Sequence, residues 1–195
     1  MANLPSSNID RRDLLAHLFS APQDWLFVSG LAGASKDTAA LTGDGGNLYS
    51  MAGTMGAAVP MGLGLALSAP DRKVAVVTGD GELLMGLGAL VTVAAAAPQN
   101  LTIICLDNSM HGETGGQQGH TAATADLEAI AKGSGISSTL TLSDKAQINH
   151  AASFVVDAPG PRFLLARVQQ TAPSAFKRNM DMAECRVRFR EYFLG

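Results

Sequence analysis

The sequence predicts an α/β fold, a doubly wound and mostly parallel sheet with helices on both faces, and three observations carry that expectation. Short apolar or β-branched runs at 25–28, 73–78 and 101–106 each stop at a small or acidic turn, as strands buried on both faces of a parallel sheet do. Helix-length stretches separate these runs, so strand and helix alternate along the chain. Glycine and alanine are abundant while aromatics make up 5%, which suits helices packed closely on a sheet better than an aromatic β-sandwich core.

In chain order, Ser7 or Asn8 is placed to cap a helix whose apolar positions Leu14, Leu15, Leu18 and Phe19 recur at helical spacing up to Pro22. Trp25–Val28 reads as a buried strand entering a loop that contains Gly33, Ser35 and Lys36 and is suited to meet an anion. Residues 53–68 (GTMGAAVPMGLGLALS) have the length of a helix, and their glycine and alanine content lets another surface approach closely. Lys73–Thr78 is the next strand and ends in the tight acidic turn Gly79-Asp80-Gly81. Leu83–Ala96 reads as one helix, and Leu101–Leu106 as a strand stopping at Asp107-Asn108, completing a βαβ unit. Further elements are expected near 126–132 (helix), 138–142 (strand), 144–156 (helix) and 163–168 (strand). A charged C-terminal helix follows at 183–194, with Val187, Phe189, Tyr192 and Phe193 as packing positions. No internal repeat or low-complexity linker interrupts the chain, so residues 1–195 are read as one domain.

Charge and cysteine usage narrow the function classes. Fourteen Lys and Arg against 17 Asp and Glu give a net charge of −3, which offers no footprint for nucleic acid. Cys105 and Cys185 stand far apart, in settings that suggest neither a disulfide framework nor a metal-ligand pair. The early charges Asp10, Arg11, Arg12 and Asp13, and the absence of a long uninterrupted apolar run, argue against a signal peptide or membrane span. A cytoplasmic location is expected.

The chemistry concentrates at two strand ends. Gly79-Asp80-Gly81 and Asp107-Asn108 close neighbouring strands of one βαβ unit, so Asp80 and Asn108 converge on one crevice. Two hard oxygen ligands suit Mg²⁺, which completes its octahedron with phosphate oxygens and water. Glycines beside Asp80 leave backbone N–H groups free to approach a phosphate, and the following helix N-terminus favours negative charge. The implied ligand is a metal diphosphate.

The spacing from Gly79-Asp80-Gly81 to Asn108, together with Gly53-Thr54-Met55-Gly56, Pro60 and Gly64, resembles the thiamine-diphosphate-dependent 2-oxoacid decarboxylases. The string DRKVAVVTGDGELLMGLGALVTVAAAAPQNLTIICLDNSMHGETGGQ is similar to sulfopyruvate decarboxylase β subunits and to the C-terminal halves of phosphonopyruvate decarboxylases, with similarity from about residue 25 to 168. The resemblance implies the diphosphate-binding (PP) domain of that family. It implies Mg²⁺ on Asp80, Asn108 and the backbone carbonyl of Met110, with Gly79, Gly81, Glu82 and Gly112 around the diphosphate and backbone N–H groups of Gly81 and Glu82 donating to it. It further implies that Gly53 accepts from the aminopyrimidine, beside Thr54, and that Met55 wedges the cofactor into its bent form, a task suited to a large, adaptable side chain. His111 and Gln117 are the candidates for contact with substrate, His111 also bordering the cofactor.

In this family a Glu on a separate pyrimidine-binding domain activates the cofactor, and that domain is not found in these residues. The resemblance therefore implies an α subunit carrying it, in a hetero-oligomer with two or more copies of each chain. The implied reaction is non-oxidative decarboxylation of 3-sulfopyruvate to sulfoacetaldehyde and CO₂. Lys36, His111 and the 112–116 loop are the nearby candidates for holding the second anion of such a substrate.

Other readings stand beside these. Asp80 taken alone serves equally as a helix-capping turn residue, Met55 as core packing and His111 as a solvated loop residue. Glu113, His120 and His150 read as surface groups, and Met61 as core. A split phosphonopyruvate decarboxylase, an acetolactate-type enzyme and a non-catalytic binding or regulatory subunit are the alternative functions.

Overall fold

The computed structural model describes residues 7–195. Six parallel strands form one sheet in the order β2-β1-β3-β4-β8-β7. In chain order the elements are α1 (Arg11–Leu18), β1 (Trp25–Ser29), α2 (Ala32–Thr42), β2 (Leu48–Ser50), α3 (Ala58–Ser68), β3 (Lys73–Gly79), α4 (Asp80–Met85) and α5 (Gly88–Ala96). Then follow β4 (Leu101–Asp107), the short hairpin β5 (Met110–His111) and β6 (Gln117–Gln118), α6 (Leu127–Gly133), β7 (Ser138–Leu142), α7 (Ile148–Asp157), β8 (Arg162–Arg167) and α8 (Met182–Leu194). The doubly wound α/β expectation is met, with every strand pairing in the main sheet parallel.

Alternation along each strand divides the core in two. Val74, Val76, Ile103, Cys105, Phe163 and Leu165 face one layer, with Ala58, Val59 and Leu63 of α3, Leu90 and Val93 of α5, and Phe189 of α8. Ala75, Val77, Ile104, Leu106, Leu164 and Ala166 face the other, with α1, α2 and α7. The two central strands are buried along nearly their whole length because helices cover both faces.

Several local expectations are corrected. The cap of α1 is Asp10, whose side chain accepts from Arg12 N. Ser7 instead donates to Arg167 O, and Asn8 accepts from Lys145 N. The segment containing Gly33, Ser35 and Lys36 is the start of α2, not a loop, and ends where Gly43 adopts φ +64. The helix anticipated from 53 begins at Ala58, because Ala52 (φ 51) and Gly56 (φ 82) turn the chain first. The anticipated 83–96 helix is two: Asp80 and Gly81 lie in the first turn of α4, and the chain breaks at Gly86 before α5. The Gly56 carbonyl packs so closely on Gly86 that a Cβ there would stand 2.3 Å from its oxygen. The three-residue edge strand β2 has no sequence counterpart; its Tyr49 packs edge-on against Phe189 of α8, with ring centroids 5.5 Å apart.

Both cysteines are buried and free, and no helix among the described residues is long and apolar enough to cross a membrane. Of the expected packing positions on α8, Phe189 is buried and Phe193 is partly so, whereas Val187 and Tyr192 remain exposed.

Candidate active site

Strand order fixes where a ligand enters. From β1 the chain winds one way to β2 and the other way to β3, so the switch point lies between the carboxyl ends of β1 and β3, where open α/β sheets bind ligands. A cavity of about 690 Å³ opens there, within the range of small-molecule sites. Gly79, Asp80, Gly81, Glu82, Asn108, Met110, His111, Gly112 and Met55 all line it. Gly53 and Thr54 are exposed outside it, and Gln117 turns away, its amide paired with the Thr114 hydroxyl and carbonyl.

Asp80 is 4% exposed, and its carboxyl is pushed up to about 6, first by burial and second by the nearby Asp107 charge. Thr121 Oγ1 donates to Asp80 Oδ2 at 3.1 Å. Asn108 Oδ1 accepts from Met110 N at 3.1 Å, which leaves its second lone pair for another partner. Gln170 Nε2 donates to the Asn108 carbonyl at 3.1 Å and so ties the loop to the segment after β8. The His111 ring lies over Gly81, and its centroid is 6.4 Å from that of His120. Met55, at 37% exposed, stands on the rim.

The residues fit a metal-bound diphosphate. A buried carboxylate raised in pKa is stabilised by a cation, and a neutral amide oxygen beside it adds a second hard ligand. The described residues contain no cluster of three His, Cys, Asp or Glu placed to hold a metal.

Three features of the cavity escape sequence reasoning. Glu82 was of interest for its backbone N–H alone, yet its side chain is 4% exposed, and burial raises its pKa. Its Oε2 accepts from Leu31 N at 2.9 Å, the residue just before α2, while among the described residues Oε1 has no partner. Arg11, in sequence one of a run of early charges, is 5% exposed, pairs with the buried Asp37 and borders the cavity. Thr121, Ser109 and Asp107 surround Asp80 on its buried side. None of these contacts has a sequence signal, because each joins elements that only the fold brings together.

A parallel sheet whose switch-point cavity gathers a buried carboxylate, an amide oxygen and glycine-bordered N–H groups defines a cofactor-binding α/β domain. The chain belongs to the thiamine pyrophosphate enzymes, and residues 46–166 match the model of their C-terminal TPP binding domain. It is 42% identical over 116 residues to sulfopyruvate decarboxylase subunit beta of Methanocaldococcus jannaschii, covering 60% of this chain and 61% of that one. With the corresponding subunit of Methanothermobacter thermautotrophicus it shares 35% identity over 77% of this chain and 78% of that one. It is also 36% identical to phosphonopyruvate decarboxylase of Streptomyces viridochromogenes, over 92% of this chain but only 44% of that longer enzyme. The chain thus spans less than two thirds of the M. jannaschii and Streptomyces relatives. A solved structure of a thiamin diphosphate-dependent enzyme from Mycobacterium smegmatis superposes with a TM-score of 0.68 at 21% identity, covering 88% of this chain and 34% of that one, and so supports the fold.

Proposed function

We propose that this chain is the β subunit of a sulfopyruvate decarboxylase, a single diphosphate-binding domain that works with an α subunit bearing the pyrimidine-binding domain. The observation carrying this reading is the cavity that brings Asp80, Asn108, Met110 and Met55 together at the sheet's switch point. Relatives named as β subunits, matched over 78% and 96% of their length, support the split arrangement. A split phosphonopyruvate decarboxylase is the second reading, favoured by a match at 36% identity over 92% of this chain.

In this reading Asp80, Asn108 and the Met110 carbonyl hold Mg²⁺, and Gly81 and Glu82 offer backbone N–H groups to the diphosphate. Bound thiamine diphosphate supplies an electron sink for the carbanion left when a 2-oxoacid loses CO₂. Met55 shapes the cofactor's conformation, while His111, over Gly81, borders both cofactor and substrate. The chain also contributes to substrate recognition. Lys36 and Glu113, 3.8 Å apart, both line the cavity; the anionic tail of the substrate displaces Glu113 and takes Lys36 as its partner.

Lys36→Met is expected to raise KM for sulfopyruvate about tenfold or more in the reconstituted pair, the usual effect of losing a charged hydrogen bond, while KM for pyruvate stays near wild type. Equal changes for both substrates would remove Lys36 from recognition. The cofactor assignment is tested by thermal unfolding with thiamine diphosphate and Mg²⁺, on this chain alone and with its α subunit. Stabilisation that needs both additives is expected, and its absence in both preparations contradicts the assignment.

A further inference from the structure

We propose that Thr121 is a positioning residue for the metal-binding carboxylate, its hydroxyl holding Asp80 through Oδ2 and leaving Oδ1 for the cation. The inference rests on the reading of Asp80 as a Mg²⁺ ligand. Thr121 lies 41 residues beyond Asp80 in sequence, in the short turn 120–122. Among the described residues it is the one side chain that hydrogen-bonds Asp80.

The Thr121 hydroxyl has three acceptors within reach: Asp80 Oδ2 at 3.1 Å, Asp107 Oδ1 at 2.8 Å and Ser109 Oγ at 3.2 Å. A hydroxyl has one proton to give. Asp107 does not depend on it, because Asp107 is paired with Arg167 and accepts from both Ser109 N at 2.9 Å and Ser109 Oγ at 3.1 Å. With those donors in place, the Thr121 proton is free for Asp80, whose carboxylate otherwise sits beside a second acid with no side-chain donor.

The backbone is shaped to deliver this hydroxyl. Gly119 N donates to Ser109 O at 2.8 Å, locking the start of the turn onto the metal loop. A Cβ on Gly119 would stand 3.0 Å from Asp80 Oδ2 and 3.1 Å from the Ser109 carbonyl carbon, so the turn packs tightly against both. Ser109 adopts φ 57, a conformation unusual for a side-chain-bearing residue, and so presents both its N–H and hydroxyl to Asp107. Groups that orient metal ligands in this way typically account for about 10- to 100-fold in metal affinity.

The test is a titration with Mn²⁺, a spectroscopically visible substitute for Mg²⁺, of the complex with its α subunit in the presence of thiamine diphosphate. Thr121→Val is expected to weaken Mn²⁺ binding about 10- to 100-fold, Thr121→Ala to do the same without added bulk, and Thr121→Ser to bind as wild type. Wild-type affinity in the Val and Ala variants, or a Ser variant as weak as they are, overturns the proposal. Asp80→Ala distinguishes the two levels. If it binds Mn²⁺ like wild type, the metal-site reading itself falls; if it loses Mn²⁺ while Thr121→Val does not, only the role of Thr121 falls.

Discussion

Asp80→Asn is expected to make the ligand-free chain more stable at neutral pH and at the same time to abolish Mg²⁺-dependent retention of thiamine diphosphate. Both effects follow from one carboxyl, 4% exposed and with its pKa pushed up to about 6. Below the unfolded value of 3.8 the group is protonated in both states and costs nothing. As pH rises through about 6 the unfolded chain is already ionised and the folded chain must carry a buried charge, so stability is lost. The loss at neutral pH is about 3 kcal/mol, which the neutral Asn avoids. Urea unfolding at pH 4.5 and 7.5 is expected to show a smaller difference for the variant than for wild type. Cofactor left after gel filtration of the complex reads the other half of the prediction. An Asn variant that is no more stable at pH 7.5, or that keeps its cofactor, contradicts the assignment.

Gly30→Ala is the second large effect. A Cβ at this position would stand 1.7 Å from Glu82 Oε2 and 2.3 Å from its carboxyl carbon, so the carboxylate must leave its buried place and its bond to Leu31 N. Glu82 lines the cavity, where in the proposed reading a displaced negative charge would meet the diphosphate. Like-charge contact of this kind costs several kcal/mol, so binding of thiamine diphosphate at saturating Mg²⁺ is expected to weaken about 100-fold in the complex. The double variant Gly30→Ala/Glu82→Ala is expected to recover most of that loss, a coupling that independent sites do not show. If the double variant binds as poorly as Gly30→Ala alone, the damage lies in the backbone, and Glu82 has no part in it.

Much of the candidate site is legible in sequence because its residues sit where strands end. Runs such as Lys73–Thr78 and Leu101–Leu106 announce their own termini, and Asp80 and Asn108, just past them, line one cavity as the pattern implies. The first turn of α2 was not, because Gly33 and Ser35 weaken helical propensity while the helix is held by packing of Ala34 and Ala39 against the sheet. Gln117 was drawn toward the substrate by its nearness to Asn108 in sequence, yet the positive φ angles of Gly115 and Gly116 (117° and 78°) turn the chain there and its amide closes on Thr114. The side-chain contacts of Glu82 and Thr121 have no sequence signal for a different reason. Their partners, Leu31 and Asp80, are distant in sequence, and only the order β2-β1-β3-β4 brings them together.

The most direct test of the central claim is a steady-state assay of this chain, the proposed α subunit and their mixture with sulfopyruvate, phosphonopyruvate and pyruvate side by side. The mixture is expected to release CO₂ and sulfoacetaldehyde with sulfopyruvate preferred, in a reaction that needs both thiamine diphosphate and Mg²⁺, while each chain alone is inactive. Full-rate decarboxylation by this chain alone, or a mixture that decarboxylates none of the three 2-oxoacids, would contradict it.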